Sequence, residues 1–336
     1  MSKSETNFFL PHFSHLYIEK EARRYELAQK VVDRLPGATV VEIERYTDVF
    51  ARPRQRFSEQ KRSRKLILAV KRPPFVYRGA DVCHRFGHEH FYYASTVLNC
   101  VYDCEYCFLQ GMFPSANLVV FVNLDDFFAE VDALLTRHPL FLSVSYESDL
   151  LALERLVPTA SHWIAFAAER PGLTLEIRTK SANYAAIRRL PPVRNVVLAW
   201  TLSPDPIAGR YEAFAPGLEA RLENARRAAE DGWPVRLCFD PVLHVENWRD
   251  LYAELVDRTF TSIPADRVLD VSIGTFRVPK DYLRVMRKAR PDSALLHEPY
   301  ECRDGVCGLP AEAERRLREF VAERVAAYLP REKIFV

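Results

Sequence analysis

Three of the chain's seven cysteines fall within eight residues, in the run Asn99-Cys100-Val-Tyr-Asp-Cys104-Glu-Tyr-Cys107-Phe-Leu-Gln110. Packing alone would scatter single cysteines over strands and helix faces, so this clustering points to thiolate chemistry. A structural zinc ion takes four closed ligands, and a fourth would have to come from Cys83, His84, His88 or His90 upstream. Three thiolates without an obvious fourth instead suit an iron-sulfur cluster with one iron left open for a substrate or cofactor. The segment Cys83-His-Arg-Phe-Gly-His-Glu-His90 reads either as ordinary structural histidines or as metal or substrate contacts, with His88 and His90 sharing a face of an extended segment. Cys302 and Cys307 read as loop thiols, or as partners of Cys83 and those histidines around a metal.

The elements that must position these residues follow from hydrophobic periodicity. Apolar residues from Tyr17 to Leu35 recur near helical spacing before the Pro36-Gly37 stop and predict an amphipathic helix. Thr39-Val-Val-Glu-Ile43 and Leu66-Ile-Leu-Ala-Val70 predict strands. From about residue 93, strand-like runs (118–122, 140–144, 173–177, 196–202, 235–239 and 268–273) alternate with helical ones (125–135, 150–156, 182–190, 218–231 and 248–257). Such alternation implies an α/β chain of βα units around a parallel sheet, a full or partial barrel. Three regions result: an N-terminal α/β domain at 1–92, a partial βα barrel at 93–290, and a C-terminal loop and helix at 291–336, the last an appendage with its helix at 311–328.

The 336 residues are 48% hydrophobic and 27% charged, which excludes a disordered chain and a disulfide-stapled miniature fold. A formal charge of +2 announces no global attraction to nucleic acid. Any polyanion site must be local, and Arg52, Arg54, Arg56, Lys61, Arg62, Arg64 and Lys65, opposed only by Glu59, form either a phosphate-contacting surface or a solvated face. The longest apolar runs fall short of the roughly 18 to 20 residues that span a bilayer. The opening Met1-Ser-Lys-Ser-Glu-Thr6 lacks the pattern of a secretory signal, so a cytoplasmic chain with reduced thiols and no membrane partner is expected.

The Cys-x3-Cys-x2-Cys spacing, with an aromatic beside the last cysteine and a βα series following, resembles the signature of radical S-adenosylmethionine (SAM) enzymes. Within that superfamily the runs Cys104-Glu-Tyr-Cys-Phe-Leu-Gln110, Val119-Val-Phe-Val-Asn-Leu-Asp-Asp-Phe127, Ser148-Asp149 and Phe239-Asp-Pro-Val-Leu-His-Val-Glu-Asn-Trp248 resemble the spore photoproduct lyase family. Leu16-Tyr-Ile-Glu19 and Lys65-Leu-Ile-Leu-Ala-Val-Lys71 resemble its opening, so the similarity runs from about residue 10 to 290. The resemblance implies a [4Fe-4S] cluster on Cys100, Cys104 and Cys107 whose open iron chelates SAM. An electron through the cluster cleaves SAM to methionine and a 5′-deoxyadenosyl radical, which takes hydrogen from the methylene bridge of a UV-induced thymine dimer in DNA. It further implies that Lys180 sits near the SAM carboxylate, Thr201 and Ser203 near its methionyl part, and Ser148, Asp149 and His244 near the substrate. The electron would come from a flavodoxin or ferredoxin.

Three departures accompany the likeness. The family carries a hydrogen-donating cysteine two residues before the serine of its Ser-Asp pair, where this chain has Tyr146. It has tyrosine on both sides of the last cluster cysteine, where this chain has Tyr106 and Phe108. Its aromatic and basic C-terminal hairpin is replaced by His297-Glu-Pro-Tyr-Glu-Cys302-Arg-Asp-Gly-Val-Cys307-Gly-Leu-Pro310. Tyr146, with Tyr106 the expected catalytic pair, then donates hydrogen itself; or Cys302 or Cys307 replaces the donor; or the substrate is another nucleotide, nucleic acid or small molecule. A cluster-bearing nucleic-acid binder without turnover is the non-enzymatic reading.

Overall fold

Runs of leucine and β-branched residues buried on both faces form parallel strands, and the chain builds two sheets from them. The computed structural model describes residues 12–336, so the Met1–Thr6 segment and the start of the resemblance near residue 10 lie outside the described residues. One sheet has five strands in the order β2 (Thr39–Ile43), β1 (His15–Glu19), β3 (Leu66–Ala69), β8 (Leu118–Phe121) and β6 (Val97–Leu98). All its pairings are parallel except β6 on β8.

The second sheet has eight strands: β18 (Ile334–Phe335), β14 (Val268–Thr275), β13 (Val235–Val242), β11 (Val196–Thr201), β10 (Leu173–Thr179), β9 (Leu140–Ser143), β5 (Phe91–Ala94) and β4 (Val76–Arg78). Only β4 is antiparallel to its neighbour. Helices Thr159–Ala168, Leu218–Glu230, Trp248–Ser262 and Ala311–Ala326 lie in the connections between its strands. Because β18 and β4 are free edges, the sheet is the expected partial βα barrel and does not close. Parallel strands joined this way deliver every following loop to one end, the carboxyl end, and ligand chemistry gathers there.

Several sequence expectations change. The helix expected from Tyr17 to Leu35 is instead β1, a 3₁₀ turn at Lys20–Arg24 and a short helix, Glu26–Asp33. Ile18 and Ala22 matched helical spacing because a buried strand position and a buried turn position happen to lie four residues apart. The helix expected at 182–190 is a single 3₁₀ turn, Tyr184–Ala186, and helix Thr159–Ala168 was not anticipated. Both sheets cross the expected border at 92/93: β6 and β8 join the N-terminal sheet, while β4 and β5 join the barrel sheet. The C-terminal region is no appendage, since β18 pairs with β14 and Phe320 packs edge-on against Trp248 at 5.2 Å. No helix among the described residues is long and apolar enough to cross a membrane.

A buried ion network ties three central barrel strands together. Arg236 on β13, 2% exposed, donates to Asp270 on β14 at 2.5 and 2.8 Å and to Glu176 on β10 at 2.6 Å. Its guanidinium also stacks 3.2 Å from the ring centroid of Phe86. Removing one partner of such a network leaves buried charge uncompensated. Arg236→Met is therefore expected to cost roughly 3–5 kcal/mol, read as a lowered urea midpoint; a loss under about 1 kcal/mol, the scale of exposed pairs, would show that the network holds nothing.

Candidate active site at the carboxyl ends of the barrel strands

The cysteine run folds as an irregular loop with few backbone bonds of its own, such as Cys107 N–H to the Cys104 carbonyl at 3.1 Å, so much of its backbone must pair outside it. Asn99 enters it in the left-handed region at φ 67°, and its fully buried side-chain amide donates to the carbonyls of Ser115 at 2.7 Å and Asn117 at 2.8 Å. A two-residue strand, β7 (Asp103–Cys104), pairs with β12 (Glu212–Ala213), and the Glu105 amide donates to Tyr211 at 2.8 Å. Arg290 holds the far side through Asp103 and the Gln110 side chain.

The remaining carbonyls are taken by two buried cations. Lys61 Nζ donates to the carbonyls of Cys100, at 2.8 Å, and Tyr102. Arg64 donates to those of Cys100 and Val101. Lys61 is 4% and Arg64 2% exposed. Both belong to the stretch read from sequence as a phosphate surface, and that reading is corrected for them: they face inward and brace the cysteine loop. Lys65 is half-buried and donates to Ser14, leaving Arg52, Arg54, Arg56 and Arg62 exposed.

The loop's thiols fit a cationic cluster. Burial pushes Cys100 up to about 11, with Asp149 adding and Lys61 opposing. Burial raises Cys104 further still, opposed by the Lys180 ammonium. Thiolates in such surroundings need positive iron to persist, and Cys100 and Cys107 are half-buried where Cys104 is buried. Among the described residues no group of three or more His, Cys, Asp or Glu side chains is gathered as one metal ion would require. Neither Cys83 with its histidines nor the three loop thiols are drawn together around the space of a single ion.

Beside the thiols lies a buried carboxylate, Glu212, which sequence reasoning missed. It accepts hydrogen bonds from Tyr106 Oη, from Ser203 Oγ at 2.8 Å and from Arg221, and neither Glu212 nor Arg221 exposes any side-chain surface. Burial alone would raise its carboxyl, but Arg221, Lys180 and these hydrogen bonds outweigh it and lower it to about 2. Arg221 also donates to the Thr201 carbonyl at 3.2 Å. The Lys180 ammonium stands 5.4 Å from the Tyr106 ring centroid. Three expected site residues, Tyr106, Lys180 and Ser203, thus meet around one anion, and Thr201 is tied to it through Arg221. A Glu in a Tyr-Glu-Ala run carries no local signal, so only the fold exposes it.

The other expected residues divide. Asp149 is structural in its contacts: its carboxylate caps helix Leu150–Leu153 through the Ala152 amide at 2.9 Å and fixes the end of β10 through Thr179 Oγ1 at 2.7 Å and the Lys180 amide at 2.8 Å. It positions Lys180 rather than facing a ligand. Ser145 and Ser148 are 8% exposed and their hydroxyls have no partner, which is what a site built for a polar ligand leaves behind. His244 is exposed on the loop after β13. His88 stacks on Phe141 at 5.1 Å and His90 on His138 at 3.7 Å, so the face expected of them is spent on aromatic packing. Cys302 and Cys307 are joined to each other across a hairpin of β16 (Glu301–Arg303) and β17 (Val306–Gly308), which extends β15 (Arg277–Pro279). Neither is the free thiol expected, and a hairpin is present where the sequence suggested none. Tyr146 stacks on Tyr93 at 4.5 Å, lies 5.7 Å from Phe108, and brings Oη to 3.7 Å from Cys83 Sγ.

Comparison with known proteins accords with this geometry. A family model described as spore photoproduct lyase matches residues 9–335. The spore photoproduct lyase of Bacillus subtilis (strain 168) is 22% identical over 98% of both chains, and that of Geobacillus sp. (strain Y412MC61) is 21% identical over 83% of both. A solved spore photoproduct lyase mutant with bound AdoMet and dinucleoside spore photoproduct superposes with a TM-score of 0.83 at 20% identity over 98% of both chains.

The bracing cations generate a direct test. Lys61→Met and Arg64→Met each remove the side-chain donor from one loop carbonyl, that of Tyr102 and that of Val101 respectively, a penalty of about 1–3 kcal/mol confined to that loop. Both variants are expected to keep their far-ultraviolet circular dichroism while binding less iron on anaerobic reconstitution; full iron loading would refute the bracing role.

Proposed function

Since the chain belongs to the spore photoproduct lyase family, we propose that it is a radical SAM lyase that repairs a UV-type thymine dimer of DNA. The observation that carries this reading is the convergence of three thiols, Lys180 and the Glu212 anion at the carboxyl ends of the barrel strands. When bound, a [4Fe-4S] cluster and SAM supply the electron transfer and the 5′-deoxyadenosyl radical that removes hydrogen from the methylene bridge of the lesion.

The chain's own residues bind, orient and exclude water. Cys100, Cys104 and Cys107 hold the cluster from a loop whose carbonyls are fixed by Lys61 and Arg64. Lys180, held by the Asp149 bond to its amide, offers an ammonium to the carboxylate of SAM, a pairing favoured in a partly desolvated site. Glu212 orients Tyr106 and Ser203, and Arg221 braces the end of β11 near Thr201. Ser148 and His244 remain our candidates for the substrate side. DNA meets the exposed arginines Arg52, Arg54, Arg56 and Arg62, and a cytoplasmic flavodoxin or ferredoxin delivers the electron.

An anaerobic assay with dithionite, SAM and an oligonucleotide carrying the spore-type dimer is expected to show restored thymine and 5′-deoxyadenosine together, and Cys104→Ala to abolish both along with the cluster's visible absorbance. Formation of 5′-deoxyadenosine without thymine would reject the lesion, and no 5′-deoxyadenosine from a fully loaded, reducible cluster would reject the enzyme. Neutralising Arg52, Arg54, Arg56 and Arg62 is expected to weaken DNA binding and flatten its salt dependence by about one slope unit per lost phosphate contact. An unchanged slope would remove these arginines from the interface. Arg64 is left intact in that test because it braces the cysteine loop.

A further inference from the structure

A cluster on the cysteine loop is reduced by an electron from outside the chain, and electron tunnelling weakens steeply with distance. The carrier must therefore dock where little protein separates it from that loop. Helix Lys280–Ala289 has such a place. It packs on helix Leu109–Met112, the first element after Cys107. The two backbones touch at Gly111, four residues past Cys107, where a Cβ would stand 2.7 Å from the Cα and the carbonyl oxygen of Tyr282. Only glycine allows that approach. Just past the helix, Arg290 donates to Gln110 Oε1 at 2.8 Å and to Asp103 at 2.5 Å, and Ser293 Oγ donates to Glu105 at 2.6 Å. One helix diameter, about 10 Å, thus lies between Gly111 and whatever rests on the outer side of this helix.

That outer side has a definite chemistry. Leu283 and Met286 are buried against the protein. Lys280, Arg284 and Lys288 recur at every fourth residue, so they form one row, and all three are exposed. Val285 sits beside the row with 41% of its surface open. Asp281 is the one carboxylate of the helix and stands 3.4 Å from Arg284. Asp292 is exposed just beyond it. Arg287 is spent on the carbonyls of Leu296 and Glu298. At the far end Ser58 Oγ donates to the Ala289 carbonyl at 3.4 Å, so the helix borders the basic stretch assigned above to DNA. An open valine within a row of cations suits a small acidic protein that binds briefly: opposite charge speeds the encounter, and a small contact lets the partner leave. Phosphate contacts would make no use of the valine.

Resting on the radical SAM reading above, we propose that the outer face of helix Lys280–Ala289, with Lys280, Arg284, Val285 and Lys288, docks the acidic one-electron carrier protein that reduces the cluster. One electron leaves the carrier's reduced cofactor and one enters the cluster. No bond of this chain is made or broken in the transfer.

The probe is a bacterial flavodoxin, reduced beforehand and mixed anaerobically with the iron-reconstituted chain in the absence of SAM and DNA. Flavin and cluster absorbance follow the transfer. Arg284→Glu/Lys288→Glu is expected to slow it by about tenfold or more at low salt and to lose the acceleration that wild type gains as salt is lowered. In calorimetry the same variant, loaded with its cluster, is expected to bind oxidised flavodoxin more weakly. Reduction by dithionite, which requires no docking surface, is expected to be unchanged and checks that the variant is folded and loaded. Transfer from flavodoxin at the wild-type rate overturns the proposal, as does a wild-type cluster that dithionite reduces and flavodoxin does not. A variant whose DNA binding loses salt dependence while its transfer rate holds assigns the face to phosphate and overturns the proposal as well. If flavodoxin reduces the wild-type cluster through this face and no thymine is restored, the lesion reading fails and the docking face stands. If flavodoxin drives thymine restoration equally in both proteins, the repair reading stands and the docking face fails.

Discussion

A loop that offers three thiols to a cluster within eight residues satisfies only a few of its own backbone groups, and the others must pair elsewhere. The rest of the structure accommodates that constraint. Carbonyls freed by the irregular backbone need strong donors, and the chain supplies an ammonium and a guanidinium from 36 to 41 residues upstream. Burying two cations side by side is costly, and burial lowers Lys61 from its usual value. Cys100 counters that cost directly, so the cations and the thiolates of a loaded loop stabilise one another. The arrangement makes the N-terminal sheet part of the site, because Lys61 and Arg64 sit just before β3, whose strand position fixes theirs.

The barrel sheet meets a second demand, which is to present charged groups at one rim while its strands stay apolar. It does so by pairing the deep charges of β10, β13 and β14. Glu176 and Asp270 share Arg236, and Asp240 receives Arg277 and Arg178. Glu212 receives Arg221 together with two hydroxyls. Such networks add little net stability over apolar packing, but each fixes one geometry, and at a radical site fixed geometry is what limits unwanted hydrogen transfer. The strong depression of the Glu212 carboxyl keeps it an anion across the whole physiological range, so Tyr106 and Ser203 always have an acceptor.

What could be read from the sequence followed locality. The three cysteines declare themselves by spacing, and β8 to β11, β13 and β14 by the alternation of apolar runs with helical ones, because both signals lie within a few residues of one another. The inward course of Lys61 and Arg64 was not legible: a basic run looks the same whether it faces phosphate or carbonyls, and the carbonyls lie on another segment. Asp149 looked like a ligand because it stands next to Ser148, whereas its three hydrogen bonds make it a helix cap and a strand clamp. Glu212 was silent for the same reason, its partners being 9 and 106 residues away. The histidine run misled through period-two spacing, which aromatic stacking satisfies as well as a metal would.

Two of the departures from the family pattern become one once the structure is considered. Tyr146 and Phe108 are neighbours at 5.7 Å, so a phenol at the first position and the missing hydroxyl at the second occupy the same pocket. The groups that Tyr146 touches are Cys83, Phe108 and Tyr93, so whatever the phenol does passes through these three. The loop that carries Cys83 is pinned at both flanks by Arg277 and His84, so the thiol stays against the phenol. With Cys83 against its hydroxyl, Tyr146 is shielded on that side, and Tyr93 covers its ring. The aromatic stack therefore holds the phenol in one place, between Phe108 of the cysteine loop and Cys83.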